Sequence, residues 1–171
     1  MGKIIFITGG ARSGKSTYAQ GLAMKNKGVA FIATCLPLDK EMVHRIKAHK
    51  KNRPGHWQTF EEPRDVAAVI KRTGKQFDCI LIDCLTLLIS NLLLDGYGQK
   101  AIERRIIEII SSIKSYKCKA IIVSNEVGLG IVPDNKLGRE FRDIAGKVNQ
   151  IVAKEADKAY FMVAGIPLKI K

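Results

Sequence analysis

The chain has no apolar run of eighteen residues, so no segment is long enough to span a bilayer as a helix. It does not read as opening on a leader either. The apolar stretch after Lys3 is too short for a signal peptide and runs straight into a glycine-rich loop. Cysteine is sparse and unpatterned: Cys35, Cys79, Cys84 and Cys118 form no C-x-x-C pair and no Cys/His metal spacing. Three of them lie in or beside apolar, strand-like runs, so buried, reduced thiols in a cytoplasmic protein are the expectation. Aromatic residues make up only 6% of the chain, and no base-stacking motif is present. That argues against a nucleic-acid partner despite the net charge of +13. Such a charge suits anionic partners in general, but Lys and Arg are spread widely, as on a solvated surface. The stretch from Lys40 to Arg53 is the dense exception.

What is present fits one globular domain over residues 1–171, with 46% hydrophobic residues to fill a core. The most informative segment is Gly9-Gly10-Ala11-Arg12-Ser13-Gly14-Lys15-Ser16. It completes G-x-x-x-x-G-K-[ST] between the apolar run Ile4–Ile7 and an apparent helix, Ser16–Lys25, which is the context a phosphate-binding loop requires. Glycines let successive N–H groups turn inward toward an anion, and the helix N-terminus adds partial positive charge. Lys15 can then reach the outer phosphates of a nucleoside triphosphate, and the Ser16 hydroxyl can ligate Mg²⁺.

Strand and helix patterns alternate along the rest. Strands are expected at Lys3–Thr8, Val29–Thr34, Cys79–Asp83, Ala120–Ser124 and Ala159–Val163, with a turn at Gly165-Ile166-Pro167 before a short strand. Helices are expected at Ser16–Lys25, Asp39–Asn52, Pro63–Arg72, Leu85–Leu94, Gln99–Tyr116 and Leu137–Ala156. The alternation predicts an α/β fold with a mostly parallel sheet, helices on both faces, and a short antiparallel C-terminal edge. With the phosphate loop, the expected class is a P-loop NTPase, RecA-like. The apolar Leu85–Leu94 segment is expected to pack in the core rather than against another subunit.

Ligands in such sheets lie beyond the carboxyl ends of the strands, which directs attention to four places. The first is the phosphate loop. The second is Thr34-Cys35, whose hydroxyl and thiol are expected to face the crevice. The third is Asp83, which closes Cys79-Ile80-Leu81-Ile82 as the acid of a Walker B strand, to hold the Mg²⁺ shell or accept a proton. The fourth is Ser124-Asn125-Glu126-Val127-Gly128-Leu129-Gly130-Ile131-Val132-Pro133, a loop near the site to which the residues alone give no further role. His44, His49 and His56 read individually as surface residues, and the five-residue separation of His44 and His49 keeps them off one helical face.

Thr8 through Ser16, Ile32-Ala33-Thr34, Arg45-Ile46 with His49 and Arg53-Pro54, and Trp57 with Thr59 and Glu61 occur in one order. They continue into Ser124–Gly128, Gly130–Pro133, Arg139, Phe141-Arg142-Asp143, Gly146, Asn149-Gln150 and Ala156-Asp157. Over nearly its whole length the chain thereby resembles the bifunctional adenosylcobinamide kinase / adenosylcobinamide-phosphate guanylyltransferase family of cobalamin biosynthesis. The resemblance implies that ATP or GTP phosphorylates the aminopropanol hydroxyl of adenosylcobinamide. GTP would then guanylylate a histidine and release pyrophosphate, and the GMP would pass to adenosylcobinamide phosphate. The matching histidine is His49. By resemblance, Gly9–Ser16, Ala33, Thr34, Cys35, Lys50, Lys51, Asn52, Arg53, Glu61 and Asp83 bind the nucleotide. His49, Lys15 and Asp83 would carry the chemistry, with Mg²⁺ on Ser16 and Asp83. Either Glu61 or Asp83 could read the two-donor edge of guanine. Attack at the α-phosphate requires His49 to reach past the loop, or its helix to move. Homo-oligomerisation, with a trimer as the family expectation, also follows from the resemblance. The competing reading is a simple small-molecule kinase, which needs Lys15, Ser16 and Asp83 but not His49.

Overall fold

The computed structural model describes residues 2–37, 50, 53–73, 75–116 and 118–171. The helix expected over Asp39–Asn52 lies outside them except for Lys50. The described chain forms β1 (Ile4–Gly9), α1 (Lys15–Ala23), β2 (Val29–Ala33), β3 (Gln58–Glu61), α2 (Val66–Thr73), β4 (Cys79–Asp83), α3 (Leu85–Leu94), α4 (Gln99–Tyr116), β5 (Lys119–Val123), α5 (Lys136–Glu155), β6 (Lys158–Val163) and β7 (Ile166–Lys169).

The seven strands make one sheet in the order β3-β2-β4-β5-β1-β6-β7, parallel throughout except for the β6–β7 pair. The phosphate-loop strand β1 and the acid-bearing strand β4 are separated by β5, in keeping with the RecA-like expectation. Near-continuous apolar runs make the inner strands because both faces are covered. Successive side chains alternate between faces. Ile4, Phe6, Ala30, Ile32, Ile80, Ile82 and Ile122 pack with α2, α3, α4 and α5. Ile7, Val29, Phe31, Leu81, Ile121 and Val123 pack with Ala19 and Ala23 of α1 and with Trp57. Leu85, Leu88, Ile89 and Leu92 are all core residues, as expected of that segment. Full burial of side chains of this size stabilises by about 1.5–3 kcal/mol each.

Several boundaries shift for local reasons. Helix α2 begins at Val66 rather than Pro63, because the Asp65 carboxylate accepts the Ala68 amide (3.1 Å) and caps the helix there. Helix α5 starts behind Asn135, whose side chain accepts the Gly138 amide at 2.7 Å. Strand β3 was not expected. Gln58-Thr59-Phe60-Glu61 is short, polar and largely exposed, as suits an edge strand, and it lacks the apolar run that marks a buried one. At the other edge, Ala164 (φ 49°) and Gly165 (φ 84°) form the tight turn joining β6 to β7. Asp157 pins the start of β1: its carboxylate accepts the Ile4 amide at 2.7 Å, and its own amide donates to the Ile4 carbonyl at 2.9 Å.

Candidate active site

Strand β1 delivers the loop Gly9–Gly14 to the carboxyl edge of the sheet, and α1 leaves it at Lys15. Gly9 (φ 148°) and Gly14 (φ 90°) occupy conformations in which a side chain is strained. A Cβ at Gly9 would also lie 2.5 Å from the Met162 carbonyl oxygen. The loop rests on the β6–β7 turn, where the Gly165 amide donates to the Ser13 carbonyl at 3.1 Å. Lys15 folds back over it, donating to the Gly10 carbonyl at 2.5 Å and lying 3.5 Å from Ser13 Oγ. Its ammonium is buried, and that burial lowers its pKa, while Cys84 and Asp83 nearby oppose the shift. A triphosphate offers the same ammonium stronger acceptors than a loop carbonyl. Ser16 opens the first turn of α1, half-buried.

Asp83 ends β4, level with Ala33 of β2 and Val123 of β5. The next residue, Cys84, joins through a cis peptide bond and is buried, which pushes its thiol up to about 12 and keeps it neutral near pH 7. Thr34 holds this turn. Its hydroxyl donates to the Cys84 carbonyl (2.7 Å) and accepts the Cys84 amide (2.9 Å), while Asn91 donates to the carbonyls of Thr34 (2.8 Å) and Pro63 (3.0 Å). The expectation that the Thr34 hydroxyl faces the crevice is therefore corrected: it is wholly buried and committed to backbone groups. Cys35 beside it is half-buried.

A second recess lies on the β2–β3 side. It is an open cavity of about 370 Å³ lined by Lys50, Arg53, Pro54, Gly55, Trp57, Thr59 and Glu61. The Arg53 guanidinium lies 3.7 Å from the centre of the Phe31 ring, and Phe31 stacks on Trp57 with centroids 6.4 Å apart. Burial lowers the Arg53 pKa, opposed by the charges of Asp83 and Glu61. Its Nε and Nη1 atoms and the Trp57 Nε1 are buried without a hydrogen-bond partner among the described residues. Such donors are costly to leave unmade and are suited to a ligand's acceptors. Lys50 and Glu61 form an exposed ion pair at the rim. Asp83 links the two recesses, since its charge acts on both Lys15 and Arg53.

The structure thus brings together Gly9–Ser16, Ala33, Thr34 and Asp83 at one edge, and Lys50, Arg53 and Glu61 around the neighbouring cavity. His49, Lys51 and Asn52 lie outside the described residues. Sequence reasoning missed Thr86 and Asn91, buried polar residues within an apolar helix, where a lone Thr or Asn at core spacing is the only available signal. Thr86 Oγ1 accepts the Asn125 amide at 2.6 Å and meets Ser124 Oγ at 3.2 Å.

Residues 5–170 match the family described as cobinamide kinase / cobinamide phosphate guanyltransferase. The chain is 42% identical to the bifunctional adenosylcobalamin biosynthesis protein CobU of Salmonella typhimurium, over 98% of this chain and 99% of that protein. Against the protein of the same description from Escherichia coli the identity is 40% over the same shares. Against the bifunctional adenosylcobalamin biosynthesis protein CobP of Pseudomonas aeruginosa it is 41%, over 96% of this chain and 95% of the relative.

Proposed function

The chain belongs to the cobinamide kinase / cobinamide phosphate guanyltransferase family, and we propose that it performs both reactions through a guanylyl-histidine at His49. The observation that carries this reading is a pair of basic recesses, the phosphate loop with Lys15 and the cavity with Lys50 and Arg53, with the Asp83 charge acting on both Lys15 and Arg53. The Arg53 Nε and Nη1 atoms make no hydrogen bond among the described residues.

In the kinase step the aminopropanol hydroxyl of adenosylcobinamide attacks the γ-phosphorus of ATP or GTP. The bond to the β-bridging oxygen breaks, and its electron pair leaves with the nucleoside diphosphate. Lys15 exchanges its contact with the Gly10 carbonyl for the outer phosphates, where its charge meets the charge that develops. In the transferase step a ring nitrogen of His49 bonds to the α-phosphorus of GTP, and pyrophosphate leaves. A phosphate oxygen of adenosylcobinamide phosphate then attacks the same phosphorus, the P–N bond breaks, and adenosylcobinamide-GDP forms. One difficult transfer is divided into two displacements. A neutral imidazole carries a ring-nitrogen lone pair that can attack phosphorus. Arg53 is suited to a forked phosphate contact and Glu61 or Asp83 to the guanine edge.

Ser16 and Asp83 supply hard oxygen donors that fit Mg²⁺, an ion that keeps several waters and takes phosphate oxygens rather than an all-protein cage. Among the described residues no group of three or more His, Cys, Asp or Glu forms such a cage. Bound there, the ion would supply charge neutralisation to the phosphates. A homo-oligomer, trimeric by expectation, belongs to the same reading. No helix among the described residues is long and apolar enough to cross a membrane.

The test incubates the full-length protein with Mg²⁺ and GTP labelled on the α-phosphate, beside γ-labelled GTP and the His49→Ala variant. Acid-labile label retained by the wild type from the α-position alone, and lost in the variant, is the expected result. Turnover of both reactions by His49→Ala would overturn the covalent intermediate. Kinase turnover with no transferase activity and no label in the wild type would leave a simple kinase.

A further inference from the structure

The loop after β5, Ser124 to Pro133, is fastened at both ends. Its near end is fixed to the phosphate loop: the Glu126 amide donates to the Gly9 carbonyl at 2.9 Å, and the Ser124 amide to Ile7 at 3.0 Å. From behind, Thr86 accepts the Asn125 amide and Asn149 donates to the Asn125 carbonyl at 3.1 Å. Its far end is fixed as well, because Arg139 donates to the carbonyls of Pro133 (3.0 Å) and Asp134 (2.7 Å). Between these anchors the loop presents apolar side chains to solvent. Leu129 is 79% exposed, Ile131 96% and Val132 57%. A segment held at both ends that still displays branched apolar side chains is characteristic of a contact surface.

Its charge is equally selective. The chain carries a net +13, yet Ser124 to Pro133 contains no Lys or Arg and a single acid, Glu126. Such a surface does not suit another polyphosphate. Glu126 is half-buried, its Oε1 accepts the Gly128 amide at 2.9 Å, and its backbone is tied to the phosphate loop by its amide on the Gly9 carbonyl.

Building on the kinase reading above, we infer that this loop is the acceptor site. Leu129, Ile131 and Val132 receive the apolar flank of a bulky corrinoid, and the Glu126 carboxylate meets the hydroxyl that is phosphorylated. As the acceptor oxygen bonds to the γ-phosphorus and the β-bridging bond breaks, the hydroxyl proton passes to Glu126. The Glu126–Gly9 bond ties the near end of this loop to the phosphate loop, three residues before Leu129, which favours the acceptor over a second copy of the chain.

The experiment uses full-length protein with cobinamide as the varied substrate and two variants, the double change Leu129→Ser with Ile131→Ser, and Glu126→Gln. Removing two apolar contacts is expected to raise the KM for cobinamide about tenfold or more, with kcat and the KM for nucleotide nearly unchanged. Glu126→Gln is expected to lower the phosphorylation kcat by about 10²–10⁴, with α-label uptake from GTP retained. An unchanged cobinamide KM in the double variant, or a normal kcat in Glu126→Gln, would overturn the inference. So would a KM change that follows a shift to smaller assemblies in sedimentation equilibrium, because the loop would then be a subunit contact. Wild-type protein that phosphorylates no cobinamide would overturn the kinase reading itself, a result separate from active wild type with unaffected variants.

Discussion

Thr34 and Cys84 are locked backbone to side chain across the carboxyl ends of β2 and β4, with one hydroxyl both accepting the Cys84 amide and donating to its carbonyl. This fixes the direction in which the chain leaves Asp83. Thr34→Val keeps the shape but strands both Cys84 groups in a fully buried position. The expected loss is about 1–3 kcal/mol by urea denaturation, with Thr34→Ser restoring most of it. Nucleotide affinity should fall with stability in the valine variant, because Asp83 loses its fixed exit. A valine variant as stable as wild type would mean that water replaces the hydroxyl.

The chain contains a single tryptophan, and it stacks on the Phe31 ring that also carries Arg53. Trp57 emission therefore reports on the Arg53 cavity directly. GTP titration is expected to change that emission. Arg53→Ala should weaken GTP binding about tenfold or more, the scale of a lost hydrogen bond to a charged group. Arg53→Lys should not rescue it, because an ammonium supplies neither the fork nor the flat face that lies on Phe31. Emission insensitive to GTP, together with unchanged affinity in Arg53→Ala, would remove the cavity from the nucleotide site.

The inner sheet and the phosphate loop were legible because each writes a strong local signal. Ile80-Leu81-Ile82 can only be buried, and Gly9 to Ser16 fixes its own geometry. Strand β3 was not legible, since the pairing that makes Gln58–Glu61 a strand comes from β2 and not from its own polar residues. Thr34 was misread for a related reason. A hydroxyl at a strand end looks the same whether it faces solvent or a backbone fifty residues away, and only the fold supplies Cys84. Glu126 sits in a polar, glycine-rich loop whose residues alone give it no role, because its tie to the phosphate loop runs through Gly9, which is distant in sequence.

Lys15 gives a pH signature. Burial lowers its pKa below the ordinary 10.5, so between the lowered value and 10.5 the unfolded chain holds a proton that the native state has released. Stability contributed by this group therefore rises with pH across that window. The melting temperature of wild type relative to Lys15→Met, followed from about pH 8 to about pH 10.5, is expected to increase with pH. The difference between the two proteins cancels the other titrating groups. A falling difference would mean that the carbonyl and hydroxyl around the ammonium outweigh its burial.

Glycine substitutions separate backbone strain from collision. Gly165 sits at φ 84° with nothing within 4 Å of an added Cβ, so Gly165→Ala bears only the conformational penalty of about 1–2 kcal/mol. Gly9→Ala adds collision to strain, since its Cβ would lie 2.5 Å from the Met162 carbonyl oxygen and 3.0 Å from Ser13 Oγ. The Met162 oxygen belongs to the β6 backbone and cannot swing aside as a side chain would. Relieving that contact must shift β6 or the phosphate loop, and the Glu126 amide hangs on the Gly9 carbonyl. Gly9→Ala is therefore expected to lower melting temperature further than Gly165→Ala and to raise the KM for both nucleotide and cobinamide. Gly165→Ala should leave the cobinamide KM near its wild-type value. Thermal melts and initial rates on the two variants measure this directly, and equal effects would mean that the loop yields without moving its neighbours.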